Sequence, residues 1–352
     1  MSKKVLLFVY SKLNLGDNLF VYTLSKKYPN IDFYLHSTDE EYRQVFEKYP
    51  NVKIINQGRL VDNVDIDNFD SFIYIGGSIF IESEYSFGEL KEFQKFIKRC
   101  KEKNKKFFYM SCNFGPYQTQ EYLNIARENF KLCDGICFRD LKSYNLFKDI
   151  KNVYYGPDVI FSLDAEKTKK ERKSLGISVI DLSIRKDLQS KQGEYENFIK
   201  KIIKKYAKWN YKIYLFSFCE FEHDETAIER IVNNLTPKEK EKIKVVKYKN
   251  SIEEFLKVYS KMKYMVATRF HSMILSIIYH QKIYNVTYSQ KQDCVIEDLK
   301  LFKNYQRIKD LTYDTAIKIY QFKKVPKEQI EQIKLQTKEQ LKLIEDINNI
   351  DF

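Results

Sequence analysis

Short, nearly unbroken apolar runs alternate with longer segments of helical periodicity along most of the chain. Lys4-Val-Leu-Leu-Phe-Val-Tyr10, Ile31 to His36, Val52 to Asn56, Phe72 to Ile75, Lys106 to Met110, Gly135 to Phe138 and Val153 to Tyr155 are the apolar runs of the first half. Runs this short, flanked by helical patterns, read as strands buried in a sheet. Between them Leu19 to Tyr28, Glu40 to Lys48, Glu89 to Lys103 and a segment starting near Ser143 read as helices. Strand and helix in alternation predict an α/β fold with a doubly wound sheet.

Asp164 to Lys173 then turns polar and lysine-rich, which marks a linker. The alternation restarts beyond it. Strands are expected at Leu175 to Leu182, Lys212 to Phe218, Ile243 to Lys247, Tyr264 to Ala267 and Lys282 to Val286. Helices are expected at Tyr195 to Lys208, Asp224 to Leu235, Ile252 to Lys261 and Ser272 to Tyr279. The remainder reads as helical, with Pro326 opening a last amphipathic helix. The domains expected are therefore 1–165, 174–325 and a terminal helix over 326–352, the first two being Rossmann-like and facing each other across a cleft.

The strand exits carry the candidate chemistry. In an open α/β sheet, ligands bind beyond the carboxyl ends of the strands, where helix N-termini add partial positive charge. Arg269 and His271 lie at such a turn, between the Tyr264 strand and the following helix. An arginine offers a fixed fork of donors to a carboxylate or phosphate, and a histidine exchanges its proton near neutral pH. The plainer alternative is that Arg269 pairs with a structural carboxylate and His271 caps the helix. Asn14, Gly16 and Asp17 follow the first strand without the three-glycine spacing of a dinucleotide site. Asn14 and Asp17 suit a ligand loop; alternatively Gly16 permits a turn and Asp17 or Asn18 caps the helix. Gly76-Gly-Ser78 permits close approach of a ligand or another element. Arg139 and Asp140 read as a structural ion pair.

Composition narrows the class. The chain has 352 residues, enough for two domains with cores of their own, and no apolar run long enough to span a membrane. Six scattered cysteines without Cys-x-x-Cys spacing read as reduced thiols of a cytoplasmic protein. No metal-ligand spacing is visible, so no metal is expected. The net charge of +13 suits an anionic substrate, an anionic membrane surface or nucleic acid. No nucleic-acid motif accompanies it, and a nucleic-acid partner is not expected.

The ordered set Asn14-Leu-Gly-Asp17, Ile75-Gly-Gly-Ser78, Phe114-Gly-Pro116, Phe138-Arg-Asp140 with Ser143, Gly156-Pro-Asp158, Ser183-Ile-Arg185, Thr268-Arg-Phe-His271 and Tyr288-Ser-Gln-Lys291 resembles the polysaccharide pyruvyl transferase family. The resemblance implies a GT-B-like architecture and transfer of a pyruvyl group from phosphoenolpyruvate to two sugar hydroxyls as a cyclic ketal, in cell-surface polysaccharide synthesis. It implies a catalytic role for His271 and Arg269. Arg185, Arg269, Ser289 and Lys291 are implied on the donor side. Asn14, Asp17, Gly76, Gly77 and Asn113 are implied on the acceptor side, in the N-terminal domain. Phosphoenolpyruvate is then a co-substrate and no cofactor is needed. The acceptor is a sugar, with a lipid-linked oligosaccharide among the options, and the basic charge allows peripheral contact at the inner face of a membrane. The oligomeric state is not legible. The competing readings are a GT-B glycosyltransferase using a nucleotide sugar and a basic, non-enzymatic binding protein.

Overall fold

The computed structural model describes residues 2–56, 58, 61–166, 168–301, 305–318 and 321–348. Lys167 of the expected linker and 349–352 of the expected terminal helix lie outside the described residues. By Cα proximity the chain divides into two units. Lys12–Asn18 and Asp164–Glu331 form the second, and the other described residues form the first. Sequence order had put the 12–18 loop in the first half; the fold attaches it to the second.

The first unit is built on seven parallel strands: β1 (Lys3–Phe8), β2 (Ile31–His36), β3 (Val52–Ile55), β4 (Ser71–Ile75), β5 (Lys106–Cys112), β6 (Gly135–Phe138) and β7 (Val153–Tyr155). Their order is β3-β2-β1-β4-β5-β6-β7, so the winding reverses between β1 and β4. The helices are α1 (Leu15–Lys27), which belongs to this unit from Leu19 onward, α2 (Glu40–Phe46), α3 (Glu84–Glu102), α4 (Gln120–Leu132) and α5 (Leu141–Phe147). Helix α3 starts five residues before the expected Glu89 because the Ser83 side chain accepts from Ser86 N while Ser86 returns a bond to Ser83 N. Its buried face carries Phe93 and Phe96, whose rings meet Phe8 of β1 edge to face at 5.1 and 5.5 Å. Edge-to-face packing of this kind adds about 0.5–1.5 kcal/mol per pair beyond burial, which favours one arrangement of α3 on the sheet.

The second unit has six parallel strands: β8 (Ser174–Ser178), β9 (Lys212–Ser217), β10 (Ile243–Lys247), β11 (Tyr264–Ala267), β12 (Lys282–Thr287) and β13 (Gln306–Arg307). Their order, β10-β9-β8-β11-β12-β13, reverses between β8 and β11. Helices α6 (Gln192–Lys208), α7 (Asp224–Asn233), α8 (Pro237–Lys240), α9 (Ile252–Tyr259), α10 (Phe270–Ile278) and α11 (Gln290–Asp298) connect them. The expectation of helix alone after Lys291 does not hold: β13 pairs with the end of β12 through Val286 and Thr287, and Ile308–Asp310 is a 3-10 turn.

The last helix, α12 (Lys327–Asn348), begins in the second unit and from Gln332 onward belongs to the first. There Gln340 accepts from Ser111 N at 2.9 Å and donates to Gly156 O at 2.7 Å. A methyl group at Gly156 would stand 3.0 Å from Glu339 Cβ and 3.1 Å from Gln336 O. Gly156 is therefore a contact point for α12.

Candidate active site

Where a doubly wound sheet reverses direction, the loops leaving the two adjacent strands diverge and open a crevice at their carboxyl ends. In the second unit those strands are β8, followed by Arg185, and β11, followed by Arg269. The loop after β9 lies on one side of them and the loop after β12 on the other.

Arg269 immediately precedes α10 with an extended backbone and is 6% exposed. Its neighbours at the strand exit are fixed from below: Ser178 Oγ accepts from Thr268 N at 2.8 Å and from Arg269 N at 3.2 Å. The guanidinium is engaged on both edges. Nε donates to Asp224 Oδ2 at 3.1 Å, Nη2 to Asp224 Oδ1, and Nη1 to Glu222 Oε2 at 2.5 Å. Asp224 is fully buried and also accepts from Phe218 N and Cys219 N, at 2.9 and 3.1 Å. Burial pushes the Asp224 carboxyl up, against the pull of Arg269. Arg269 thus has its own structural carboxylate, the plainer of the two sequence readings.

Glu222 is the hub of the polar set. Its carboxylate accepts from Arg269, from Arg185 Nη2 and, at 3.5 Å, from Asn14 Nδ2. Burial alone would raise this carboxyl, but the charges of Arg269 and Arg185, with Lys291 behind them, hold it down at about 2. It is an anion at any physiological pH. Arg185 stays partly exposed, and its guanidinium lies 4.6 Å from the centre of the Tyr288 ring. Arg185, Arg269 and Lys291 thus act together on the Glu222 carboxylate.

His271 stands in the first turn of α10, one residue inside the helix and not in the preceding turn as the sequence suggested. Its imidazole fills the space above Gly16, where a Cβ would lie 2.0 Å from Nδ1. The 12–18 loop holds this position through Leu15 N donating to Phe218 O at 3.0 Å, and Asn18 Nδ2 donating to Tyr248 Oη at 2.8 Å. Asn14 accepts from Gly16 N at 2.9 Å and so caps α1, the role the sequence had offered to Asp17 or Asn18. Asp17 lies half-buried in the first turn of α1.

After β12, Ser289 stands at the N-terminal boundary of α11 and Lys291 sits in its first turn, Nζ 6.0 Å from the centre of the Phe270 ring. Gln292 ties this exit to the Arg269 exit: Nε2 donates to Thr268 O at 2.7 Å and Oε1 accepts from Tyr288 N at 3.0 Å. Seven of the ten expected residues, Asn14, Asp17, Arg185, Arg269, His271, Ser289 and Lys291, therefore belong to the second unit.

Gly76, Gly77 and Asn113 belong to the first unit. Arg139 does not pair with its neighbour Asp140. It donates to Asp158 Oδ2 at 2.8 Å and to Asn113 Oδ1 at 2.9 Å, while Asp140 caps α5 by accepting from Ser143 N and Oγ. A Cβ at Gly77 would meet the Arg139 guanidinium at 2.1 Å. Gly77 and Asn113 thus serve a buried ion pair.

The sequence reading missed Glu222 and Asp224. The only local signal is a strand exit with two carboxylates around a histidine, and His223 adopts φ 57°, which turns the chain between them. Burial pushes the Cys219 thiol beside them up to about 12, so it is not a reactive thiolate.

Residues 14–290 match the sequence pattern of the polysaccharide pyruvyl transferases, and the chain belongs to that family. In fold it is similar to the putative UDP-N-acetylglucosamine 2-epimerase of Listeria monocytogenes, at 10% identity over 88% of this chain and 86% of that one, with a TM-score of 0.54. It is also similar to Glycyrrhiza uralensis UGT73P12 complexed with glycyrrhetinic acid 3-O-monoglucuronide, at 8% identity over 99% and 96% of the chains, with a TM-score of 0.52. At these identities the likeness is one of architecture: two Rossmann-like α/β units of the GT-B type. No described helix is long and apolar enough to cross a membrane.

Proposed function

We propose that the protein transfers the pyruvyl group of phosphoenolpyruvate to two hydroxyls of a sugar, forming a cyclic ketal and releasing phosphate. The observation that carries this reading is the convergence of Arg185 and Arg269 on the single carboxylate of Glu222, with Lys291 adding its charge. Two arginines that each give one donor to the same anion, with a lysine charge added, suit a donor that bears both a carboxylate and a phosphate. Family membership supports the same reaction.

In this reading His271 protonates C3 of the enol, C2 becomes oxocarbenium-like, and a sugar hydroxyl attacks it. A second hydroxyl closes the ketal as the C2–O bond to phosphate breaks, so the two hydroxyl protons end on C3 and on phosphate. One hydroxyl proton restores the proton that His271 gave to C3, and the other leaves with phosphate. Arg185, Lys291 and Ser289 hold the donor, and Arg269 acts mainly by holding Glu222 and α10 in place. Asn14 and Asp17 are the acceptor-side candidates; Gly76 borders the Gly77–Arg139 contact and adds backbone only. Loss of a general acid costs about a hundredfold to ten-thousandfold in rate. Sugar-dependent phosphate release from phosphoenolpyruvate tests the reading, and tight binding of a UDP-sugar without such release would favour the nucleotide-sugar alternative.

A further inference from the structure

The same strands that end at the site begin at a dense group of cations. Lys263 precedes β11 and Lys282 opens β12, and their Nζ atoms lie 5.6 and 5.5 Å from the centre of one ring, Tyr264. Backbone pairing gathers more charge there: Lys282 N donates to Lys263 O at 3.0 Å, and Ile283 exchanges two bonds with Lys323, which brings Lys324 and then Lys327 alongside. Lys170 joins from before β8, its Nζ donating to Ser260 O at 2.5 Å and lying 5.6 Å from the Tyr279 ring centre. His280 turns between α10 and β12 within the same group.

The cations act on one another. Burial and then Lys282, Lys327 and Lys263 hold Lys324 below the usual lysine value. Burial and then Lys324 hold Lys170 at about 8, and burial followed by Lys324, Lys327 and Lys170 lowers His280, with Glu328 opposing. A further carboxylate, Glu171, is engaged by Lys212 and Tyr214. A surface that tolerates such self-repulsion is suited to a dense array of negative charge.

We propose that this cluster is a docking face for an anionic lipid bilayer, which it contacts through phosphate headgroups. The rings within it are covered: Tyr264 is 7% exposed, and Tyr279 lies half-buried beside Lys170. A single-stranded nucleic acid would therefore find charge without the stacking rings that such proteins present. Because β11 and β12 are parallel, the cluster and the Arg269/Lys291 exits stand at opposite ends of the same strands, and a bilayer held here leaves the site uncovered. The proposal is independent of pyruvyl transfer.

The test is co-sedimentation with vesicles of phosphatidylcholine alone or with 30% phosphatidylglycerol (by design, about a third anionic lipid). Each lysine near such a surface adds about fivefold in affinity, so Lys263→Glu/Lys282→Glu/Lys324→Glu should lose about a hundredfold. The control Lys95→Glu/Lys98→Glu/Lys101→Glu, on the exposed face of α3, changes net charge equally and should bind nearly as wild type. Circular dichroism verifies folding, and the corresponding glutamine triple serves if the glutamate triple does not fold. Equal losses in both sets, unchanged binding in the first, or tighter cluster-dependent binding of a random oligonucleotide than of the vesicles would each overturn the proposal.

Discussion

His271 Nδ1 lies directly over Gly16, so close that a side-chain carbon on Gly16 would stand 2.0 Å from it. The glycine makes room for the imidazole, and the contact is to a ring fixed in the first turn of α10. Gly16→Ala should therefore push the imidazole aside while leaving the sheet intact. A displacement of about 1 Å costs on the order of a hundredfold in rate. The expected outcome is a fall in kcat with melting temperature nearly unchanged; an unchanged kcat would remove His271 from the chemistry.

Asp224 neutralises a buried arginine and accepts two backbone bonds. Asp224→Ala leaves Arg269 without its main partner in a fully buried position. Breaking a buried pair in this way costs about 3–5 kcal/mol. Chemical denaturation should register that loss, and a change below about 1 kcal/mol would mean that solvent or Glu222 replaces the pair.

Glu222 carries the opposite expectation for ligand binding. Its carboxylate occupies one donor of Arg185 and one of Arg269, so it competes with an incoming anion. Glu222→Gln should tighten phosphoenolpyruvate binding severalfold in calorimetry, whereas weaker binding would mean that Glu222 preorganises the arginines. The same group shapes acid stability. Its folded value of about 2 lies below the ordinary 4.5, so the unfolded chain binds more protons between the two. The stabilisation is complete above about pH 4.5 and is lost as pH falls toward 2. Glu222→Gln should flatten the stability profile across that window.

Gly77 borders the Arg139 guanidinium in the first unit. Gly77→Ala should lower the melting temperature by forcing apart the Arg139–Asp158 pair, both of whose side chains are 1% exposed or less. A stable variant with only a raised acceptor KM would instead assign Gly77 to sugar binding.

Much of this was legible in the sequence. The apolar runs marked nearly every strand, because strands buried on both faces need no alternation. The position of Arg269 and His271 beside a strand exit was legible from the residues, whereas Arg185 and Lys291 entered through the family resemblance. What escaped was partner choice across long separations. Arg139 selects Asp158, nineteen positions on, because residues adjacent at a strand end point apart. Lys12–Asn18 groups with the second unit through bonds to Phe218 and Tyr248, and no local pattern announces them. Glu222 and Asp224 gain their role only from the turn at His223 and the arrival of Arg269 from another strand.

The most direct measurement is phosphate release from phosphoenolpyruvate with a panel of galactosides, glucosides and N-acetylmannosamine conjugates, comparing wild type with His271→Ala and Arg185→Gln. The account predicts acceptor-dependent release and a product heavier by one pyruvyl ketal. His271→Ala should lose turnover by about a hundredfold or more while still binding donor, and Arg185→Gln should lose donor binding. Full activity in His271→Ala, or no phosphoenolpyruvate binding by the wild-type protein, would contradict it.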